Sequence, residues 1–508
     1  MFSYFFKTKK GKTNLVIAGL SLIIVILFSL LQQPFNRQTT RYQQAVHFTR
    51  ANMNQLQEQM QNVNYRMPNF NADKLGKTIP NAKVYDQNGQ AHQVVLWDSW
   101  PVTDQEGTLA NYHGYHLTIA LSAVDKRRDK KGVKMVLLAQ KANAKNQGVA
   151  SWTYLGPLMN TFTEGSRQPD RLLSKINNEW SGSAVLMNEQ DDHIRLFYTG
   201  AMTKNGQAQA LTTAQISIQA KDKKNWASGL TIAHEQTTDH KTVFSGDGQL
   251  YQKVSQLSNQ KTDSFAMRDP HFVVDHGHYY LVFEANTTES GQQVFNNPAN
   301  YGSLFDYQKD KSALLKSHLD TISQTSSVSL SNASKMANSA IGLVELNRDF
   351  TVKKVEKPLM VASGANDITE RPNLLKYQGK WYLFTCFQGK SLASSNKQFL
   401  NQNYLLGYVS SDGLTGHYQK LNKTGLVLGS NSKRKTKKFT YAYLVVPSKE
   451  NGQTKFVITA FAGDRTLAPS VALKINKQTT KVDNQYVFNQ GALTTTGKRF
   501  KTSPQNWS

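Results

Sequence analysis

Short apolar runs separated by polar turns make up most of the chain, the pattern of strands, and the longer period of helices is scarce. Three stretches share one layout. Trp180-Ser181-Gly182-Ser183 leads through Ala184-Val185-Leu186 and a polar turn into Ile194-Arg195-Leu196-Phe197-Tyr198. Arg268-Asp269-Pro270-His271 leads through Phe272-Val273-Val274 and the turn Asp275-His276-Gly277 into Tyr279-Tyr280-Leu281-Val282-Phe283. Glu370-Arg371-Pro372-Asn373 leads through Leu374-Leu375 and Gln378-Gly379 into Trp381-Tyr382-Leu383-Phe384. Each reads as a polar motif that opens a β-hairpin. With Asp98 added, the motifs fall at 98, 181, 269 and 370, the spacing of a four-stranded repeat, which predicts an all-β propeller with a central pocket. A β-sandwich and a parallel β-helix are the rival architectures. Helical spacing is confined to a Gln-rich stretch around 40–65, through Val46, Met53, Leu56, Met60 and Val63, and to the region near 307–325.

The N-terminus has a different pattern. Lys7, Lys9, Lys10 and Lys12 precede an unbroken apolar run from Leu15 to Leu31, the charge and hydropathy profile of an export signal. No Ala-x-Ala-like site follows, so the segment reads as an uncleaved signal-anchor, with a cleaved signal and a buried core helix as alternatives. The resulting organisation is a signal peptide or anchor at 1–35, a polar helical stalk or packing arm at 36–66, a catalytic domain at 67–500 and a tail at 501–508. It implies a chain outside the cell, secreted or tethered to the outer face of the membrane.

Composition narrows the picture. The 508 residues are 39% apolar and 10% aromatic, enough for a sizeable core, and carry a formal net charge of +25. No nucleic-acid motif interleaves the basic residues, so the excess suits an anionic membrane or wall surface, and the run Lys433-Arg434-Lys435-Thr436-Lys437-Lys438 reads as a solvated loop. The single cysteine, Cys386, excludes an intrachain disulfide; within Trp381–Phe387 it reads as a buried structural thiol.

The candidate chemistry lies in three acids. Asp98 ends an apolar strand between Trp97 and Trp100, and Asp269 and Glu370 occupy equivalent places in the repeated hairpins. Any one alone is ordinarily a cap or a surface charge. Strands converging on one axis would make the three face one cavity. A carboxylate nucleophile and a carboxylic acid are what glycoside transfer with retention requires, and a third carboxylate can favour an oxocarbenium-like transition state. Arg268 and Arg371 can hold these carboxylates ionised or grip hydroxyls.

Trp97-Asp98-Ser99-Trp100-Pro101, Trp180-Ser181-Gly182-Ser183-Ala184, Arg268-Asp269-Pro270-His271 and Thr369-Glu370-Arg371-Pro372 resemble the four signature blocks of the levansucrase/inulosucrase family, glycoside hydrolase family 68, in that family's order. The resemblance runs from about 45 to about 495 and includes Thr212–Gln215, Phe283-Glu284-Ala285-Asn286 and Leu421–Leu426. It implies a five-bladed β-propeller with a funnel-shaped pocket, working as a monomer on sucrose and fructan acceptors. Asp98 would be the nucleophile, Asp269 the transition-state stabiliser and Glu370 the general acid/base. Trp97, Trp180, Ser181, Arg268, Arg371, Gln388 and Tyr441 would line the sucrose pocket. A structural calcium would be held by Asp263, Gln293, Met336 (through its carbonyl), Asn338 and Asp367, all oxygen donors. Two positions depart from the family pattern. Ile368 stands where members often carry an acid or amide, and Gln388 where they carry an arginine, both on the glucosyl or acceptor side. Three activities stay open: β-2,6 fructosyl transfer of the levansucrase type, a hydrolytic β-fructosidase or inulosucrase on the same scaffold, and a non-catalytic glycan-binding propeller.

Overall fold

Five antiparallel four-stranded meanders follow one another along the chain. The structure, a computed structural model, describes residues 42, 44–76, 79–85, 88–124, 132–144, 148–159, 171–188, 193–203, 206–222, 225–256, 265–288, 337–394, 396–430, 436–463 and 465–502. The candidate signal segment 1–35, the helical pattern near 307–325, the basic run up to Lys435 and the end of the tail lie outside them.

The first meander runs through Ala91–Thr103, Tyr115–Val124, Lys134–Lys141 and Thr153–Pro157. The second comprises Asn178–Leu186, His193–Ala201, Gln209–Asp222 and Asn225–Ile232. The third comprises Met267–Asp275, His278–Ala285, Ala340–Leu346 and Val352–Val361. The fourth comprises Glu370–Tyr377, Lys380–Gln388, Asn403–Ser410 and Tyr418–Lys420. The fifth comprises Thr440–Glu450, Gln453–Ala462, Val471–Asn476 and Thr479–Val482. The five lead strands are labelled β1 (Ala91–Thr103), β2 (Asn178–Leu186), β3 (Met267–Asp275), β4 (Glu370–Tyr377) and β5 (Thr440–Glu450). Each lies beside the next, and β5 lies beside β1. Only β1 and β2 pair, in parallel, through Val102 with Ala184 and Thr103 with Val185, so the described sheets are not one closed sheet.

One irregularity recurs in every lead strand. The ladder to the next strand shifts between Trp97 and Ser99, Trp180 and Gly182, Arg268 and His271, Glu370 and Asn373, and Tyr441 and Leu444. A bulge sets two residues against one and turns side chains out of strict alternation. Asp98 (φ 39°), Asp269 (57°), Arg371 (53°) and Ala442 (59°) adopt left-handed backbone there, a conformation that costs non-glycine residues and persists where the surroundings over-determine it. Pro270 and Pro372 fall within the bulges, where no ladder N–H is needed. The motifs of β3 and β4 open their strands as expected, whereas Asp98, read as the end of an apolar strand, lies inside β1, which continues through the bulge to Thr103.

Apolar layers fill the gaps between sheets; Phe197 and Phe272 stack across the second and third, centroids 5.0 Å apart. The predicted arm is helix α1 (Arg50–Gln59), begun by a capping box in which Thr49 Oγ1 accepts from Asn52 N–H and Asn52 Oδ1 accepts from Thr49 N–H. It buries Met53, Leu56 and Met60 in the cluster that holds Phe387, Tyr404, Leu406 and Tyr408, so it packs on the fourth sheet.

Gly182 is the tightest of the bulge positions: a Cβ there would overlap the carbonyl oxygen of Phe197 and the backbone of Tyr198. Backbone cannot yield as a side chain does, so Gly182→Ala is expected to cost about 3 kcal/mol or more, read as a lower denaturation midpoint or as loss of soluble protein.

Candidate active site

The site forms where the bulges of β1 to β5 meet. Asp98 accepts a hydrogen bond on Oδ2 from Ser181 Oγ at 3.0 Å, joining β1 to β2. Thr199 Oγ1 donates to the Ser181 carbonyl at 3.0 Å and accepts from Asp269 N–H at 2.8 Å, joining β2 to β3. Asp269 Oδ2 accepts from Arg371 N–H at 2.9 Å, joining β3 to β4. Arg371 closes the circuit: its guanidinium donates to the carbonyls of Ala442 on β5 and, at 2.6 Å, of Ser99 on β1. Tyr441 OH donates to Glu370 Oε2, and Thr385 Oγ1 holds the Glu370 carbonyl at 2.8 Å. Asp98, Asp269 and Glu370 act on one another electrostatically, so the three acids named from sequence do share one site.

Burial and a fourth, fully buried acid shape the ionisation of Asp269 and Glu370. Arg268 Nε and Nη2 donate to Glu284 Oε2 and Oε1 at 2.7 and 3.0 Å, and Thr369 N–H donates to Oε1 at 2.9 Å. Arg268 Nη2 also lies 3.6 Å from Glu370 Oε1. Burial would lower the Arg268 pKa, but the surrounding carboxylates, Glu284 foremost, raise it. Burial pushes Asp269 up to about 7; Glu284 adds to this, while Arg268 opposes it. Burial likewise pushes Glu370 up to about 8, with Arg268 opposing and Glu284, Asp269 and Asp98 adding. Arg371 N–H favours the ionised form of Asp269 and Tyr441 OH that of Glu370, yet burial and crowding hold both carboxyls above the ordinary range.

Other predicted residues divide by place. Trp97 is buried, with the Arg465 guanidinium 4.1 Å over its ring, and Trp180 is half-buried beside Gly206. Gln388 ends its strand with a buried Oε1 that has no partner among the described residues; Ile368 is half-buried and Lys390 exposed. Arg371, expected to line the sugar pocket, lines the cavity shared by the lead strands and also braces those strands, its guanidinium donating to two carbonyls. Cys386 is fully buried opposite Glu370, and burial drives its thiol well above its usual range, as a structural thiol requires. A cavity of about 480 Å³, including space open to solvent, is lined from all five lead strands. Trp100, Ser183, His271, Asn373 and Val446 line it. It meets the acid cluster through Asp269, Ser181 and Arg371, whereas Asp98 and Glu370 stand off it. His271, pushed down to about 4 by burial, donates from Nε2 to the Leu374 carbonyl there at 3.1 Å.

For calcium, Asp263, Gln293 and Met336 lie outside the described residues. Asn338 N–H approaches Asp367 Oδ1 at 3.4 Å, so those two are adjacent. Asn338 Oδ1 accepts from Thr287 N–H at 2.9 Å and Oγ1 at 3.0 Å, and its amide donates to the Thr287 carbonyl at 2.9 Å. The donor chemistry fits a hard cation, but Asn338 would have to exchange these bonds to ligate one.

Sequence reasoning passed over two residues. Thr199 carries no signal beyond its place in a strand. Glu284 does: it is an acid on an otherwise apolar strand, Tyr279 to Ala285, whose alternation turns it inward.

Both raised acids keep their protons to higher pH in the folded chain than when unfolded. The stability this confers is complete below the unfolded values, near 4, and is lost as pH rises through about 7 to 8. Glu370→Gln removes one crowded charge; it is expected to raise the melting temperature at pH 8 by about 1–3 °C and to leave it unchanged at pH 5, read by calorimetry.

Carboxylates gathered at one end of repeated β-sheets define a glycoside-processing class of protein. The chain belongs to glycoside hydrolase family 68, the Levansucrase/Invertase family, whose model matches residues 37–494. It is 37% identical over 466 residues to the levansucrase of Bacillus subtilis, covering 88% of this chain and 90% of that one. It is also 37% identical, with the same coverage, to a protein of Geobacillus stearothermophilus named an inactive levansucrase. The crystal structure of B. subtilis levansucrase superposes with a TM-score of 0.75 at 35% identity, over 89% of this chain and 98% of that one.

Proposed function

We propose that the chain cleaves sucrose by double displacement and transfers the fructosyl unit to a growing β-2,6 fructan, to sucrose or to water. Asp98 is the nucleophile, held by Ser181 at the β1 bulge. Glu370 is the general acid/base: a carboxyl raised to about 8 is protonated at neutral pH and can deliver its proton to the leaving glucosyl oxygen. It is then the base that activates the acceptor hydroxyl. Asp269, fixed by Thr199 and Arg371, stabilises the charge that develops on the fructosyl ring. Trp97, Trp180, Ser181 and Tyr441 surround this unit, and Gln388 and Ile368 face the leaving and acceptor sugars. The observation that carries the reading is the meeting of three carboxylates with a proton to share among bulged lead strands. Family membership alone would not suffice, since one relative is named inactive.

The architecture we infer is a five-bladed propeller with a funnel at its axis. Support comes from the five meanders, from lead strands that neighbour one another around to β5 beside β1, and from one cavity lined by all five. The enzyme works as a monomer outside the cell, secreted or held by segment 1–35, a reading supported by the lysines and apolar run of that segment.

Sucrose digestion tests the activity. Free glucose in excess over free fructose is expected, together with a product of β-2,6 linkage; Asp98→Asn should lower turnover by at least about 10⁴-fold. Unchanged turnover in that variant would remove the catalytic assignment. Equal glucose and fructose would favour hydrolysis instead, a second reading supported by Ile368, which cannot hydrogen-bond a hydroxyl, and by Gln388 in place of a cation.

A structural calcium held by Asp367, Asp263, Gln293, the Met336 carbonyl and a re-paired Asn338 completes the proposal; bound, it ties loops by charge and takes no part in the chemistry. Chelation should then lower the melting temperature by about 5 °C or more, calcium should restore it, and Asp367→Ala should erase the difference.

A further inference from the structure

The outer half of the fifth sheet carries a feature that sugar transfer does not use. Strands Gln453–Ala462, Val471–Asn476 and Thr479–Val482 are antiparallel neighbours. Phe456 stands opposite Leu473 in the last pair of that ladder, so Lys455 and Lys474 are the next positions beyond it; Lys474 in turn stands opposite Lys481. Residues directly opposite share a face, and all three side chains are exposed. At the usual strand spacing of about 4.8 Å, the row spans about 10 Å of backbone.

Like charges set directly opposite destabilise a sheet, and nothing in the row offsets them. Lys455 Nζ donates only to Gln453 Oε1, at 2.6 Å, and none of the three forms an ion pair among the described residues. The acids flanking the row are otherwise engaged: Glu450 accepts from Thr495 N–H at 2.8 Å and Ser448 Oγ at 2.6 Å, and Asp483 from Gln485 N–H at 3.0 Å. A lysine on an edge strand guards against unwanted strand pairing, which accounts for Lys481, since Thr479–Val482 ends the sheet order. It does not account for Lys474 and Lys455, which sit on interior strands.

We propose that this lysine row is a docking strip for a linear phosphate polymer. Ammonium groups are compact charges that meet phosphate oxygens without a fixed planar fork, so a line of them can follow a flexible polyanion and release its counterions. A one-dimensional row suits a chain better than a plane.

The test uses the full chain and a fluorescently labelled inorganic polyphosphate, with binding read by anisotropy across a salt series. The triple variant Lys455→Gln/Lys474→Gln/Lys481→Gln is compared with Lys83→Gln/Lys221→Gln/Lys253→Gln, which removes equal charge from exposed lysines elsewhere. The row variant should bind about tenfold or more weakly, and its slope of log affinity against log salt should fall by about 2, at roughly 0.7 per neutralised phosphate. The comparison variant should keep most of its affinity, and sucrose turnover should be unchanged in both. Equal losses in the two variants, or none in the row variant, would overturn the proposal. So would a row variant that loses binding to phosphatidylglycerol vesicles while keeping it to polyphosphate, which would identify a membrane surface as the partner.

Discussion

The buried ion pair between Arg268 and Glu284 is the constraint on which the site depends. An acid with no exposed surface survives in a protein interior only when its oxygens are fully engaged, and Glu284 meets that condition with two bonds from Arg268 and one from the Thr369 backbone. Those donors are immediate chain neighbours of Asp269 and Glu370, so one carboxylate positions two others. It also adds negative charge where two more acids must stand, and this crowding, on top of burial, keeps a proton at the site in neutral solution. Removing either partner of such a pair costs about 3–5 kcal/mol, more than exchanging both for apolar groups of equal shape.

The second ordering device is the backbone. Five lead strands share the same ladder shift, and four of the five bulges hold a non-glycine residue in left-handed conformation. Such strain is stable because polar links pass from each strand to the next: Ser181 to Asp98, Thr199 to Asp269, Arg371 to β1, β3 and β5. Arg371 illustrates how a residue beside an acid can line a cavity and brace the strands around it. Its guanidinium replaces the carbonyl partners that sheet pairing does not supply between lead strands.

Much of this could be read from the sequence, and the exceptions are physical. Strand pairs such as Phe272–Val274 with Tyr279–Phe283 were legible because each is a short apolar run bounded by polar turn residues. The acids were legible only as a set, since Asp98 alone looks like a turn residue, and their roles came from the motifs around them. The strand carrying Asp98 was read as ending at that acid, because an acid followed by Trp100-Pro101 resembles a turn, whereas the bulge lets the strand continue to Thr103. The bracing role of Arg371 was not legible, because its bonds to Ser99 and Ala442 join residues far apart in the chain. Glu284 was visible as an acid in an apolar strand, yet only the fold shows that Arg268 sits opposite it.

The circuit of lead strands has a consequence for how the molecule comes into being. Asp98 comes early in the chain, Glu370 and Tyr441 late, and the Arg371 bond to Ser99 together with the contacts of β5 with β1 join its two halves. Contacts of such long sequence separation exact their loop-closure entropy before they return any stability, which makes assembly slow and late. The links that β5 makes to Glu370, Arg371 and β1 are therefore the last the chain can form, and the circuit is complete only when the final sheet settles against the first.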